Sequence, residues 1–368
     1  MIKVWDYLKE FEKEKEEIYS ALDKVFKSGR LILGESVDNF EAEFSNYCGV
    51  KFGVGVNSGT DALFLSLKAL NIGNGDEVIT VPNTAVPTVS AISSCGARPV
   101  FVDIEPETYL MNIEKIEAVI TKKTKCILPV HLYGQCVDME AVNKIAKKYN
   151  LKVIEDCAQA HGAVQRGKKA GSMSSTSAFS FYPTKILGGF GDGGMILTSD
   201  KDIYERLKRL RFYGMKDQYY SLEHGYNSRL DELQAEILRK KLAHLDGYIA
   251  RRRLLAKQYD EKLKGTALKL PKAFSFNEHA YYIYVCRHPQ RDKVVAALKE
   301  KDVFVNISYP WPVHLMPGYS FLNYKAGDFP IAEAVAGEIF SLPMYPSLSD
   351  REQDMVCGAL EDIVSNLS

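Results

Sequence analysis

From about residue 50 to residue 199, short apolar runs alternate with helical ones, and this alternation limits the possible folds of the chain more than any other feature. The runs 52–56, 77–81, 99–102, 126–130, 152–154, 177–181 and 195–198 read as strands. Between them, 61–70 carries Leu63, Leu67 and Leu70 on one helical face, and 139–148 also reads as helix. Strand and helix in alternation predict an α/β fold, a mostly parallel sheet with helices on both faces. Ligand sites in such sheets lie beyond the carboxyl ends of the strands.

After residue 199 the pattern changes. A helix over 201–211 leads into a polar, Tyr-rich loop at 213–226, and a long charged helix is expected over about 230–263. A strand at 281–286, a helix at 290–301, a Pro- and Tyr-rich loop at 309–319 and a last helix from Ser349 predict a smaller C-terminal α+β domain. The boundary is set at 250. This gives a large domain 1–250, which opens with a helix over about 7–27 stopped at Ser28-Gly29, and a small domain 251–368.

Charge removes one class of function. The 47 basic residues are matched by 47 acidic ones, so there is no basic surplus with which to neutralise nucleic-acid phosphates. The seven cysteines are scattered, with no Cys-x-x-Cys, which speaks against a disulfide framework or a metal site. Reduced thiols suit a cytoplasm. The charged first 19 residues and the lack of a run of about 18 apolar residues predict a soluble intracellular protein without a membrane segment.

Three motifs carry chemistry. The first, Glu155-Asp156-Cys157-Ala158-Gln159-Ala160-His161-Gly162, follows an apolar run and sets Asp156 at a strand end facing the ligand crevice. An aspartate there also suits a helix N-cap. The second, Phe179-Ser180-Phe181-Tyr182-Pro183-Thr184-Lys185, places a lysine after an aromatic strand. Desolvation there would favour the neutral amine, the nucleophile that imine formation requires. A strand-end aspartate with such a lysine points to pyridoxal phosphate, with the carboxylate holding the ring nitrogen protonated.

The third motif, Val56-Asn57-Ser58-Gly59-Thr60-Asp61-Ala62-Leu63, runs from a strand into a helix whose N-terminus favours a phosphate. Ser180 adds a hydroxyl. The run Gly189-Phe190-Gly191-Asp192-Gly193-Gly194 also satisfies G-x-G-x-x-G. It precedes a strand instead of opening a helix, so it reads as a turn and not as a dinucleotide site.

With these motifs in place, the sequence resembles the DegT/DnrJ/StrS family of nucleotide-sugar aminotransferases over nearly its whole length. Further matching segments are Phe40-Glu41-x-Glu43-Phe44, Pro129-Val130-His131-Leu132-Tyr133-Gly134, Tyr226-Asn227-Ser228-Arg229-Leu230 and Pro312-Val313-His314-Leu315. The resemblance implies the fold of the pyridoxal phosphate-dependent transferases of fold type I. It makes Lys185 the imine-forming lysine and general base, Asp156 the pyridinium partner, and Gln159 the partner of the ring hydroxyl. Gly59, Thr60 and Ser180 would bind the phosphate. Asn227 would reach it from the neighbouring subunit, which implies a homodimer with shared sites.

Some members of the family are dehydratases with histidine at the lysine position, so Lys185 implies transamination, with L-glutamate as donor. Residues 81–88 and 180–185 are most similar to members that aminate C3 of a dTDP-3-keto-6-deoxyhexose, for use in glycans such as O-antigen. The alternative is C4 amination of a dTDP-, UDP- or GDP-linked 4-keto-6-deoxyhexose. Tyr182, Arg229, Tyr309 and His314 are candidate sugar-nucleotide contacts, with Arg30 and Arg229 as partners for a diphosphate. One departure stands out: Ala85 occupies the place where many members lay an aromatic ring over the cofactor. This leaves His161 as a candidate cover, though such a histidine also suits a packed core.

Overall fold

The computed structural model describes residues 1–217 and 219–367. Gln218, within the Tyr-rich segment 213–226, and the terminal Ser368 lie outside the described residues. The alternating runs form β1 (Phe52–Val56), β2 (Glu77–Thr80), β3 (Arg98–Phe101), β4 (Thr124–Ile127), β5 (Lys152–Asp156), β6 (Thr176–Ser180) and β7 (Gly194–Thr198). They make one sheet in the order β1-β7-β6-β5-β4-β2-β3. The β2–β3, β2–β4, β4–β5 and β5–β6 pairs are parallel, while β7 runs antiparallel to both β1 and β6.

The helices are α1 (Tyr7–Ser28), α2 (Glu35–Cys48), α3 (Gly59–Ala69), α4 (Val86–Ser94), α5 (Met139–Tyr149), α6 (Lys201–Leu210), α7 (Glu232–Leu242), α8 (Leu245–Lys262), α9 (Arg291–Glu300), α10 (Pro330–Glu338) and α11 (Asp350–Ser365). Leu63 and Leu67 of α3 are buried in the same cluster as Val54, Ile79, Ile127, Ile154 and Ile196 of the strands. Each such side chain contributes about 1.5–3 kcal/mol when withdrawn from water. α1 stops where expected, because Gly29 takes the left-handed conformation (φ 67°) that closes a helix. Ser349 caps α11 in a reciprocal pair with Glu352.

The expected helix over 230–263 is instead two helices, broken at Ala243 and His244 between α7 and α8. Beyond it, β8 (Tyr284–Arg287) and β9 (Ile339–Leu342) pair antiparallel. A separate apolar cluster gathers Leu255 and Tyr259 of α8, Tyr284, Phe340, Val356 and Leu360, together with Ile2. Among the described residues no helix is long and apolar enough to cross a membrane.

A buried hydrogen bond to a carboxylate pins the middle of the sheet. His131 Nε2 lies 2.9 Å from Glu155 Oε2, and His131 Nδ1 accepts from Val137 N at 3.1 Å, which leaves the proton on Nε2. Glu155 also accepts from the Gly171 and Met173 amides at 3.0 and 2.8 Å and from Ser174 Oγ at 2.8 Å. Burial pushes this carboxyl up, and the His131, Gly171 and Ser174 donors more than reverse it, so its pKa lies below the ordinary value. The pair therefore adds stability at neutral pH that disappears as the pH falls below about 4. Glu155→Ala strands His131 Nε2 and the Gly171 and Met173 amides, while Ser174 Oγ keeps the Thr176 carbonyl. At about 1–3 kcal/mol for each unsatisfied buried donor, a loss of about 3 kcal/mol or more is expected by denaturant unfolding.

Candidate active site

The carboxyl ends of β5 and β6 and the N-terminus of α3 open into one cavity of about 290 Å³, close to the lower end of the range for small-molecule sites (about 300–1,000 Å³). Gly59, Thr60, Asp156, Gln159, Ser180, Tyr182 and Lys185 all line it. At one end, Ser58 caps α3 by accepting from Asp61 N at 3.1 Å, and its carbonyl accepts from Ala62 N. The amides of Gly59 and Thr60 make no hydrogen bond among the described residues. Two free N–H groups at a helix N-terminus, with Ser180 beside them, form an anion cradle. Gly59 is required there, since a Cβ would stand 2.6 Å from Ser180 Cβ.

At the other end is Asp156, 4 % exposed and the last residue of β5. Oδ2 accepts from Thr88 Oγ1 at 2.8 Å, and Oδ1 accepts from Ala158 N at 3.1 Å. Thr88 in turn accepts from Thr84, also at 2.8 Å. These hydrogen-bond partners are neutral, so they only partly offset burial, which raises the carboxyl's pKa. A buried carboxylate held this way favours a cationic N–H facing it across the cavity.

Gln159 is oriented by its neighbours. Oε1 accepts from Tyr133 N at 2.8 Å, and Nε2 donates to Tyr309 OH at 2.6 Å. Tyr133 adopts φ 61° to aim that amide and stacks on Tyr309 with ring centroids 6.3 Å apart. Tyr309 therefore touches the site through Gln159. Tyr182 is 52 % exposed at its rim.

Lys185 differs from the dry, enclosed amine expected from the sequence. It is half-buried, with Nζ 4.6 Å from the centre of the Tyr282 ring, and it also lines a second cavity. Among the described residues no carboxylate lies within ion-pair distance of it.

Five candidates lie elsewhere. His161 does not cover the site. It is buried among Phe44, Phe179 and Phe181, and burial, with the nearby Lys185 charge, drives its pKa down to about 3. His314 is buried against Phe329 and sits 3.0 Å from Glu333 Oε1, so it is a packing residue. Arg229 lies over Phe212 and Tyr213, and Arg30 is exposed on the surface. Asn227 is exposed and does not line this chain's cavity. Its neighbour Ser228 braces the cradle, donating to Asp61 Oδ2 at 2.6 Å and accepting from Asn57 N at 3.1 Å.

Sequence reasoning missed Thr84, Thr88, Asp192 and Tyr282. The first two stand four residues apart at the start of α4, and that spacing was the available signal. Ala85, at the N-cap of α4, lines the cavity with Pro87.

Pyridoxal phosphate fits this donor set. Its phosphate suits the free amides beside Gly59, its ring nitrogen suits Asp156, and its aldehyde suits an amine. Gly59→Ala inserts a methyl into the cradle, and overpacking of about 1–3 kcal/mol is expected to weaken pyridoxal phosphate binding about 5- to 150-fold. Absorbance titration of cofactor-free protein measures this, and an unchanged affinity contradicts the cradle.

Comparisons with known proteins agree with the geometry. The model of the DegT/DnrJ/EryC1/StrS aminotransferase family matches residues 12–361. The chain is 52 % identical over 370 residues, 99 % of both chains, to a dTDP-3-amino-3,4,6-trideoxy-alpha-D-glucose transaminase of Micromonospora megalomicea subsp. nigra. Among solved structures it is similar to Streptomyces venezuelae DesV in complex with a ketimine intermediate, with TM-score 0.97, 40 % identity and 98 % of both chains covered. It is also similar to NtdA of Bacillus subtilis with its bound cofactor PMP, with TM-score 0.90 and 31 % identity over 96 % of this chain and 82 % of that one.

Proposed function

The chain belongs to the DegT/DnrJ/EryC1/StrS aminotransferase family, and from that premise we propose that it moves an amino group from L-glutamate to C3 of a dTDP-3-keto-6-deoxyhexose. It is a pyridoxal phosphate-dependent aminotransferase. Near-complete, 52 % identical alignment with a transaminase named for a 3-amino dTDP sugar is the observation that carries the choice of C3. We place the enzyme in the cytoplasm, which suits its seven free, buried cysteines, and we propose a homodimer in which Asn227 completes the neighbouring subunit's phosphate cradle.

When bound, pyridoxal phosphate supplies an aldehyde that condenses with amines and a ring that takes up the electron pair released at the donor's α-carbon. The protein's residues do the rest. Gly59 and Thr60 amides and Ser180 Oγ hold the phosphate, while Gln159 Nε2 is presented to the ring hydroxyl by the Tyr133 amide that fixes its other end. Asp156 stays ionised against a protonated ring nitrogen, braced by Thr88 and Ala158. Lys185 Nζ takes the proton from the donor's α-carbon as a base and later returns one as an acid.

The test is a competition. With L-glutamate and equal amounts of dTDP-3-keto- and dTDP-4-keto-6-deoxyglucose, the 3-amino sugar is expected by mass spectrometry and NMR. Preferential amination at C4 would contradict the assignment.

A further inference from the structure

A second cavity, of about 250 Å³, shares Lys185 with the first. It lies between α1, the α7–α8 junction and the segment at Pro346 and Ser347. Three residues lining it carry buried polar atoms without a hydrogen-bond partner: Arg252 Nε, Glu14 Oε2 and Ser347 Oγ. Buried groups left in this way cost free energy until a partner arrives.

Arg252 is 4 % exposed. Its Nη1 donates to the carbonyls of Tyr281, Tyr282 and Met344 at 3.2, 3.0 and 2.7 Å. Among the described residues no carboxylate pairs with it directly, and burial lowers its pKa to about 10. Glu14 uses Oε1 to accept from Tyr248. Lys241 Nζ stands 3.5 Å from Oε2, in ion-pair range only. Glu10, which accepts from Trp5 Nε1 at 2.7 Å, adds a second acid whose pKa burial raises.

One cavity thus holds a buried guanidinium whose Nε–H has no acceptor, Glu10 acting on it only through its field, and a buried carboxylate oxygen that Lys241 faces without a hydrogen bond. A phosphate would satisfy Arg252 but meet Glu10 and Glu14, and a simple amine would do the reverse. An α-amino acid carries a carboxylate and an ammonium two bonds apart and satisfies both. We propose that this cavity receives the zwitterionic head of the amino donor, with its carboxylate on Arg252, its ammonium on Glu14 and Ser347 Oγ completing the contacts. The inference rests on the aminotransferase reading. It adds that the donor waits beside Lys185 in a chamber of its own, apart from the cofactor's cavity.

The probe is 2-methyl-L-glutamate, which lacks the α-hydrogen that transfer removes, titrated calorimetrically into the holoenzyme. Because Arg252 also ties three carbonyls together, the variants are Glu14→Gln, which keeps shape, and Ser347→Phe, which fills the cavity. Each is expected to weaken the probe about tenfold or more, the scale of one lost charged or buried contact, while the affinity for dTDP-glucose changes little. A crystal structure of the complex should show the probe's carboxylate at Arg252. Equal probe affinity in both variants, or only solvent in this cavity at saturating probe, overturns the site. An enzyme that aminates the ketosugar with probe affinity indifferent to both changes keeps its function and loses this chamber. One that binds the probe here but aminates no ketosugar keeps the chamber and loses the function.

Discussion

Replacing Lys185 by alanine is expected to lower turnover by at least about 10³-fold, within the range lost when a general acid–base is removed, and more if covalent attachment also matters. The side chain is half-buried and touches both cavities, so its removal leaves space and little strain. The variant should therefore fold, and thermal unfolding should confirm it. Two further readouts separate chemistry from structure. Pyridoxal phosphate should leave the variant more readily on dialysis, because no covalent bond tethers it. Added methylamine should restore part of the rate by standing in for the missing base. Retention of near-normal turnover would remove Lys185 from the mechanism.

Asp156→Asn is the second large effect. An amide cannot hold the ring nitrogen protonated, and removing one such electrostatic partner is expected to cost about 10²–10³-fold in turnover. The same substitution should stabilise the cofactor-free protein. Burial raises the Asp156 pKa in the fold, so the ionised carboxylate penalises the fold as the pH rises through that value. At pH 8 the cofactor-free variant should melt above the wild type, and at pH 4 the difference should shrink. Lower turnover with higher melting temperature is a pairing that simple misfolding does not produce.

The expected site residues that the structure gathers around one cavity are those whose signal is local. Gly59, Asp156, Ser180 and Lys185 each stand at the end of a run whose periodicity is plain, and the sheet gathers those ends on one edge. What was not legible came from residues distant in sequence. Tyr282, under the Lys185 amine, is nearly a hundred residues away, and Thr88 reaches Asp156 across 68 residues. His161 and His314 look reactive in a linear sequence, but each is enclosed by aromatic rings contributed from other segments.

Helix ends show the same division. Gly29 stops α1 as glycine allows, while the break between α7 and α8 falls at Ala243-His244, with neither glycine nor proline to mark it. α4 opens with Pro87 in its first turn, where proline's missing N–H has no helical partner to lose.

Borohydride reduction of the purified holoenzyme, followed by peptide mass spectrometry, addresses the assignment on which the rest stands. A phosphopyridoxyl group fixed to Lys185 and to no other lysine is the expected result. Its attachment to a different residue, or its absence from a protein that still transfers amino groups, would contradict the account.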